Sequence, residues 1–570
     1  MTNSLSARSQ IFAGLCMITA LCFCSAGAAA QTKNVPASKP SSAPVTAYRI
    51  AGTVVSKTDG HLLGQARISV RNVKGGPPTW MITADDGRFE FAGLAAGKYS
   101  LIGAKRGFVQ AAYDQHDQFS TAIVTGAGLD TEALVLRLAP TALIYGKVLD
   151  EAGDPVRHAM VTAYFDDHSA GVDQIRPYRS AQTDDQGEYE ITPIQPGTYF
   201  LSVTAKPWYA VHPRANPDPR GRVPGVPVKP PDATGIDRAL DVTYPVTYYA
   251  DVAETDNATP IPIRGGERVP VDFHLNPVPS LRLLFRVPTS PNNGFLMPQL
   301  EQSTFDGSTY VQSDGAHPVS PGLVEITGVP AGRYNVHIFG QGDQSEIQMN
   351  GVDVAKDGEE IDTSKGEALS TVKVVAQIQG ETALPARLAV GLRSGRRPAT
   401  WQQFDAKGEA ELQRIPAGQY EILFSNGPKP YSIVQVSKDG ATVADHTLTV
   451  TAGSSSTVAL TLTGSASDIE GTAKRAGKPF ASAMVVLVPK NPESDRSLFR
   501  RDQSDLDGTF ALKNVVPGSY TILAIADGWD LDWSQPGVIA AYLKAGQPVE
   551  VGNQAESTMK LKEAVEVQSK

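Results

Sequence analysis

Cysteine is nearly absent from this sequence. Its three cysteines, Cys16, Cys22 and Cys24, all lie within the first 30 of 570 residues. That segment combines a single arginine, a short apolar run and a small-residue A-x-A ending, which together predict a secretory signal peptide over residues 1–30. Because cleavage would remove all three thiols, we expect the exported protein to contain no disulfide, no thiol nucleophile and no thiolate metal site.

Surplus positive charge and further long apolar runs are also missing. The formal net charge is −9, which argues against a nucleic-acid partner, since nucleic-acid-binding surfaces are basic. The apolar run of the signal peptide is too short to predict a membrane span, and no comparable run follows it. Residues 31–47 are rich in proline and serine and predict a flexible linker. With 41% hydrophobic residues, the chain as a whole can still bury sizeable cores.

A ten-residue spacing between two glycines recurs five times, with a tyrosine two residues after the second glycine. The five copies are Gly87/Gly97/Tyr99, Gly187/Gly197/Tyr199, Gly322/Gly332/Tyr334, Gly408/Gly418/Tyr420 and Gly518/Tyr520 preceded by Gly508. Aspartates before the first glycine of most copies predict a tight turn, and alternating apolar residues between the glycines predict a strand. The tyrosine is expected to begin the next strand, with its ring inside and its hydroxyl bonded to nearby backbone. We therefore interpret these residues as structural.

Short strands with turn signals at regular spacing predict an all-β protein. Helical periodicity of any length is missing. We predict a tandem array of about five β-sandwiches. Their predicted ranges are 48–139, 140–277, 278–369, 370–463 and 464–570, and the third and fourth are degenerate copies. Because the junctions between units are short, the array is expected to form a semi-rigid rod.

Two segments carry a family resemblance. Copy one reads GTVVSKTDG-HLLGQARISV…TADDGRFEFAGLAAGKYSLIGAKRGF, and copy two reads GKVLDEAGDPVRHAMVTAYF…TDDQGEYEITPIQPGTYFLSV. Both resemble carboxypeptidase regulatory-like domains, which accompany some zinc carboxypeptidases and many bacterial envelope proteins. The resemblance implies that each sandwich has a carbohydrate-binding-like, transthyretin-like or Ig-like Greek-key fold, similar to starch-binding-like and collagen-adhesin modules. It implies function only loosely. Lys–Asn isopeptide bonds, known from collagen-adhesin modules, stay an open alternative.

The peptidase itself is not predicted. None of the nine histidines is followed three residues later by glutamate, so the His-x-x-Glu zinc pair is missing, as is H-E-x-x-H. A G-x-S-x-G elbow, a phosphate loop and a dinucleotide fingerprint are missing too. We therefore predict a non-enzymatic protein with no catalytic residue, no cofactor and no metal site.

Asp505 and Asp507 resemble part of a calcium loop, but Gln503 and Asn514 stand where acids are needed, which favours a turn. Calcium bound by turn aspartates stays open.

The tryptophans give the first candidate site. Four of the five occupy positions that recur between copies, namely Trp80, Trp208, Trp401 and Trp529. Recurrence favours packing roles, and only Trp533 lies outside the pattern. A ring pair flanked by carboxylates can stack a sugar and accept its hydroxyl hydrogens. The candidate ligand site is therefore Trp529, Asp530, Asp532 and Trp533.

A proline-rich insertion gives the second candidate site. Residues 207–231 interrupt copy two with eight prolines, and copy one has no counterpart. One interpretation is a solvated, polyproline-like excursion. The other is a docking loop for an acidic or aromatic-grooved partner, because loops of this length are often functional. The candidate docking residues are Arg214, Arg220, Arg222, Tyr244, Tyr248 and Tyr249.

The sequence thus leads to two functional hypotheses. The first is an exported, periplasmic or extracellular, non-catalytic protein that serves as a binding or spacer module at the cell envelope. Its partner would be an envelope protein or a polysaccharide, and neither nucleic acid nor a transmembrane segment of the mature chain is expected. The alternative is a carbohydrate-binding protein that uses exposed aromatic residues and edge loops.

Overall fold

The computed structural model describes most of the chain after the linker. The described residues are 47–126, 128–214, 238–288, 297–339, 347–381, 383–394, 399–425, 431–443, 447–464, 466–493, 495–552 and 558–570. The predicted signal peptide, nearly all of the linker and residues 215–231 of the insertion lie outside these ranges.

The described chain is all-β and forms a tandem array of β-sandwiches, as predicted. The strands of the first sandwich are Tyr48–Ser56, Arg67–Asn72, Thr79–Ile82, Arg88–Leu94, Gly97–Ala104, Ala111–Ala112, Ile123–Thr125 and Leu134–Leu138. Those of the second are Ala142–Leu149, Met160–Asp167, Gln174–Gln182, Glu188–Ile194, Gly197–Thr204, Val242–Thr243, Thr247–Tyr248, Ile261–Ile263, Arg268–Pro270 and Phe273–His274. Val278–Pro279 pairs with Val242–Thr243 of the second sandwich and leads into the third. The strands of the third are Leu281–Arg286, Met297–Thr304, Gly307–Tyr310, Ala316–Ser320, Leu323–Val329, Gly332–Phe339, Ile347–Val354, Glu359–Asp362 and Glu367–Ala368.

The last two sandwiches follow the same plan. The strands of the fourth are Ser370–Ile378, Ala389–Arg393, Thr400–Gln403, Glu409–Ile415, Gly418–Ser425, Ser432–Lys438, Ala441–Val443, Thr447–Val450 and Ser455–Thr463. Those of the fifth are Ser467–Arg475, Lys478–Pro479, Met484–Pro489, Arg500–Gln503, Thr509–Val515, Gly518–Ala526, Gln547–Val551, Thr558–Lys560 and Val565–Ser569. Helical segments of the described chain are the α-helix Pro536–Leu543 and the 3-10 turns Arg238–Leu240, Thr255–Asn257, Thr363–Lys365 and Arg496–Leu498.

The sequence repeat corresponds to one topological unit. In the first sandwich, the strand after Gly87 pairs antiparallel with Tyr48–Ser56, whereas the strand that begins at Gly97 pairs with Arg67–Asn72 in the other sheet. The second glycine of the repeat therefore marks where the chain crosses between the two sheets. Tyr48–Ser56 also pairs in parallel with Leu134–Leu138, and an equivalent parallel pairing closes each later sandwich. Alternating side chains of both sheets face one core in each unit.

The fifth sandwich carries a second apolar layer. All six residues of Met484–Pro489 are buried, because one face of the strand packs on the sandwich core and the other on a separate cluster. The second cluster lies beneath Pro536–Leu543 and the segment that precedes this helix, with Ile539 fully buried. Because both faces of this strand are buried, its sequence is a continuous run of apolar residues rather than an alternating one.

The array folds back on itself, in contrast to the predicted rod. Within the unit that spans residues 47–570, the fifth sandwich contacts both the first and the second. Leu506, at the tip of a repeat turn in the fifth sandwich, packs against the core of the first, and its amide donates to the Ala122 carbonyl at 3.1 Å. Short junctions limit the gap between neighbours but do not fix the direction of the chain, so the rod interpretation was wrong.

The repeat tyrosines share one geometry. Each is at most 7% exposed and donates its hydroxyl to the carbonyl four residues earlier, at 2.7–3.0 Å. The donor tyrosines are Tyr99, Tyr199, Tyr334, Tyr420 and Tyr520. The bond holds the turn of the second glycine against the strand that follows it, while the ring fills the core.

We expect Tyr199→Phe to destabilise the second sandwich by about 0.5–1.5 kcal/mol, because it removes the bond to the Gln195 carbonyl while keeping the ring. The midpoint of chemical denaturation measures the effect. Tyr145→Phe, at an exposed tyrosine of the same sandwich, is the control and should leave the midpoint nearly unchanged. Equal shifts for the two variants would contradict a special role for the repeat tyrosine.

Two properties favour glycine at the first position of the repeat, namely its positive φ and the lack of space for a Cβ. Two glycines of the fifth sandwich allow these effects to be compared. Gly508 has a φ of +77°, and a Cβ there would lie 2.6 Å from the Ala473 carbonyl oxygen. Gly477, in the same sandwich, has a φ of +76° with nothing within 4 Å of its Cβ position. Alanine at Gly477 therefore meets only the backbone strain, whereas alanine at Gly508 also meets a collision.

We predict that Gly508→Ala lowers the free energy of unfolding by about 1–3 kcal/mol more than Gly477→Ala does, the usual range for overpacking. Differential scanning calorimetry of both full-length variants measures this. If the two variants melt alike, the close approach to Ala473 is not what requires glycine.

Candidate functional site

The predicted ligand cluster lies where the first, second and fifth sandwiches meet. Trp529 belongs to the segment between strand Gly518–Ala526 and helix Pro536–Leu543, and it packs on the second apolar layer. Its ring stacks on His116 of the first sandwich, with centroids 4.8 Å apart and an interplanar angle of 7°. Its indole N–H donates to the Ser482 carbonyl at 3.3 Å.

Trp533 faces the second sandwich. A Cβ at Gly171 would lie 2.6 Å from its Cε2 atom, so the indole lies directly against this glycine. Phe499 meets the ring edge-on at 5.9 Å. The next residue, Ser534, donates its amide to the Gly171 carbonyl at 3.0 Å. Both tryptophans of the predicted cluster are thus half-buried and engaged by side chains of this chain.

Arg501 connects these rings. Its guanidinium carbon lies 5.0 Å from the Phe119 centroid, 5.3 Å from Trp529 and 4.7 Å from Trp533. The side chain is 4% exposed and donates to Asp117 Oδ2 of the first sandwich at 2.7 Å and to the Ser169 carbonyl of the second at 3.2 Å. One buried cation therefore contacts groups of three sandwiches.

Direct polar contacts join the first and fifth sandwiches around Arg501. Lys98 Nζ lies 2.5 Å from Asp505 Oδ2, and the amide of Ala122 donates to Asp505 Oδ1 at 2.9 Å. Gln503 donates from its side-chain amide to the Asp114 carbonyl at 2.6 Å and to Thr121 Oγ1 at 2.8 Å. Asp505 is the first aspartate of the repeat turn that resembles a calcium loop. Both of its carboxylate oxygens thus contact the first sandwich.

The two aspartates of the predicted site form ion pairs. Asp530 pairs with Lys570 near the carboxyl end of the chain, and this pairing lowers the pKa of Asp530. Asp532 Oδ1 lies 3.2 Å from His168 Nδ1 of the second sandwich. Burial lowers the pKa of His168, but the hydrogen bond to Asp532 and the charge of Asp166 outweigh this effect, so the pKa is raised overall.

An Asp–His–Asp cluster lies beside Asp532. Ligand-type atoms of Asp166, His168 and Asp173 are all within 4.8 Å of one another. Burial, together with the neighbouring Asp173 carboxyl, raises the pKa of Asp166 to about 6. In both aspartates the Oδ1 atom is buried without a hydrogen-bond partner in the described chain. Two adjacent carboxyls of this kind share a proton or a small cation more readily than they carry two charges.

The predicted docking residues are largely internal. Tyr244 donates to Glu151 Oε2 at 3.0 Å, and Tyr248, 1% exposed, meets Phe305 of the third sandwich edge-on at 5.4 Å. Tyr249 packs on Phe273. Arg214 Nη2 lies 3.7 Å from Asp314 Oδ2 of the third sandwich.

The other two predicted docking residues, Arg220 and Arg222, lie outside the described residues. The described part of the insertion therefore contacts the neighbouring sandwich of the same chain.

Three of the recurrent tryptophans are exposed, which contradicts the packing role expected for them. The exposed fractions are 55% for Trp80, 88% for Trp208 and 44% for Trp401. Trp80 and Trp401 lie on the short strands Thr79–Ile82 and Thr400–Gln403, each at the edge of its sheet. Recurrence fixes a position in the sheet, but an edge strand has no neighbour to cover its side chains.

Sequence reasoning missed Arg501. The sequence offers one usable signal, the adjacent arginines Arg500 and Arg501, but nothing in the pattern indicates that one of them faces another sandwich. Within the part of the chain that the structure describes, no helix is both long enough and apolar enough to span a membrane.

Comparison with known proteins identifies the amino-terminal units. The carboxypeptidase regulatory-like domain family matches residues 49–131 and 143–240. A search of curated proteins found no match.

Among solved structures, the chain is similar to the TIE protein of Bacillus anthracis (9% identity, 73% of this chain and 74% of that chain, TM-score 0.17). It is also similar to GBS52, a minor pilin of Streptococcus agalactiae (12%, 43% and 99%, 0.20), and to BcpA, the major pilin subunit of Bacillus cereus (10%, 74% and 100%, 0.14). At these scores the likenesses carry no argument about function. The first two sandwiches are carboxypeptidase regulatory-like domains, and the chain is a tandem β-sandwich protein that carries this family's domain.

Proposed function

We propose that this protein is exported and acts as a non-catalytic binding or spacer module at the cell envelope. The observation that carries the proposal is the Arg501 junction, the set of contacts that Arg501 makes with Phe119, Asp117, Trp529 and Trp533. Here the two tryptophans that the sequence predicts to bind a ligand are engaged by contacts between sandwiches of the same chain. Side chains used in this way give a fixed arrangement of domains. A spacer or scaffold needs such an arrangement, because flexible connections would let the binding faces move independently.

The contact between the second and third sandwiches supports the same proposal. Phe305 of the third sandwich packs against Tyr164, Phe200 and Tyr248 of the second, with centroid distances of 5.0–5.4 Å. The amide of Ile175 donates to Asp306 Oδ2 at 2.8 Å. Aromatic packing and hydrogen bonds at one site resist both sliding and twisting between the two domains.

Carbohydrate binding is the second candidate, and the exposed tryptophans favour it. The indoles of Trp529 and Trp533 contact Arg501, whereas Trp208 and Trp401 present large aromatic surfaces to solvent. Exposed aromatic rings offer the faces on which sugars stack. The candidate sugar-binding aromatics are thus exposed residues away from the Arg501 contacts.

We expect Arg501→Glu to separate the fifth sandwich from the first two, because it places a carboxylate against Asp117 and removes the cation from three aromatic rings. Small-angle X-ray scattering of the full mature chain should show a larger radius of gyration. Arg475→Glu is a matched control, since Arg475 lies over Phe480 within the fifth sandwich alone, at 5.7 Å. An unchanged radius of gyration for Arg501→Glu would contradict the junction's role.

We expect the purified mature chain to hydrolyse neither peptide nor ester substrates, with or without added Zn²⁺. Turnover measured with a fluorogenic peptide library tests this. Activity that co-purifies with the protein and persists in chelator would overturn the non-catalytic proposal.

The same preparation tests export, since mass spectrometry of the chain from the periplasmic or extracellular fraction should show loss of residues 1–30.

A further inference from the structure

We propose that the fourth sandwich binds a neutral hexose polysaccharide through Trp401 and the groove beside it. This inference rests on the binding role proposed above and names the ligand class and the site. It concerns a sandwich that lies outside the two matched regulatory-like domains.

The Trp401 indole is held as a flat platform. Trp401 pairs across the sheet with Gly391 of strand Ala389–Arg393. A Cβ at Gly391 would lie 2.7 Å from Cε3 and 2.8 Å from Cζ3 of the indole, so the ring rests directly on the glycine backbone. The residue is nevertheless 44% exposed. A ring supported on one side and accessible on the other loses little conformational freedom when a ligand stacks on it.

A polar groove adjoins this platform. Its volume is about 520 Å³, and it is lined by Thr400, Trp401, Gln402, Glu411, Leu412, Gln413 and Arg414. Strands Thr400–Gln403 and Glu409–Ile415 belong to different sheets, so the groove runs along the flank where the two sheets of the sandwich meet. Gln413 donates from its side-chain amide to Glu411 Oε1 at 2.8 Å. The exposed side chains of the groove offer both donors and acceptors.

This combination fits a sugar better than other ligands. A hexose has an apolar face of C–H groups that can cover an indole, and hydroxyls around its edge that donate and accept hydrogen bonds. The groove contains one carboxylate, Glu411, and one guanidinium, Arg414, so its charged groups are balanced in sign. Balanced charge favours a neutral ligand over a polyanion. An open groove on the surface also admits a polymer, whose chain can enter and leave at both ends.

Trp80 provides an internal comparison. It lies seven residues before its turn glycine, as Trp401 does, and it is 55% exposed on an equivalent edge strand. However, Trp80 pairs with Ser69 instead of glycine, and the Arg67 guanidinium lies over its ring at 5.2 Å. Among the described residues, no aromatic or cationic side chain is stacked on Trp401 in this way. A guanidinium therefore lies over the Trp80 ring, whereas none of the described cations lies over the Trp401 ring.

Native affinity electrophoresis of the full mature chain tests the proposal, in gels that contain hydroxyethylcellulose or soluble starch. We expect retardation in at least one of these gels. Trp401→Ala should weaken the apparent affinity at least about tenfold, equivalent to about 1.4 kcal/mol, and Trp80→Ala should leave it unchanged. Gly391→Ala keeps the indole but pushes it off its support, and it should also weaken binding.

Three results would overturn the proposal. They are migration unaffected by either polysaccharide, equal retardation of the wild-type protein and Trp401→Ala, and retardation only in gels that contain a polyanion such as alginate. Circular dichroism of each variant establishes that the fold is intact. Because the scattering test of Arg501→Glu does not involve Trp401, loss of the polysaccharide proposal would leave the scaffold proposal standing.

Discussion

The arrangement of the first, second and fifth sandwiches depends on the burial of one guanidinium group. Arg501 is almost fully removed from water, and burial lowers its pKa even though Asp117 opposes this effect. Removing one partner from a buried ion pair typically costs about 3–5 kcal/mol, because the remaining charge stays uncompensated. Each aromatic face over a desolvated cation adds up to about 2 kcal/mol. Partners from all three sandwiches together compensate the burial of this cation.

The repeat was the part of the fold that the sequence could predict. A glycine ten residues before another glycine fixes the length of one strand, and the left-handed backbone at Gly87 or Gly508 favours glycine whatever surrounds the unit. The corner tyrosines follow the same logic, because each bonds to a carbonyl only four residues away. Local constraints of this kind depend only on a short stretch of sequence, so they can be predicted. The β-sandwich fold class follows from them.

Contacts between sandwiches could not be predicted, because they join residues with no local relation. Trp529 and Trp533 were predicted to be part of a ligand site, but the pattern could not show that Arg501 would lie against their rings. Trp401 was interpreted as a packing residue from its recurrence, whereas its exposure follows from the edge position of a short strand. Whether a side chain is covered depends on the neighbouring sheet edge or domain, which single-sequence periodicity does not encode.

The contact between Lys98 and Asp505 joins residues 407 positions apart in the chain. Because the chain is synthesised from its amino end, the first sandwich is complete long before the fifth one has been made. During that interval the surface around Phe119 and Ala122 has no covering partner, and it presents apolar groups to the surrounding medium. Assembly of the closed arrangement must therefore follow synthesis of the fifth sandwich, so its completion depends on the order in which the domains are made rather than on the folding of any single sandwich.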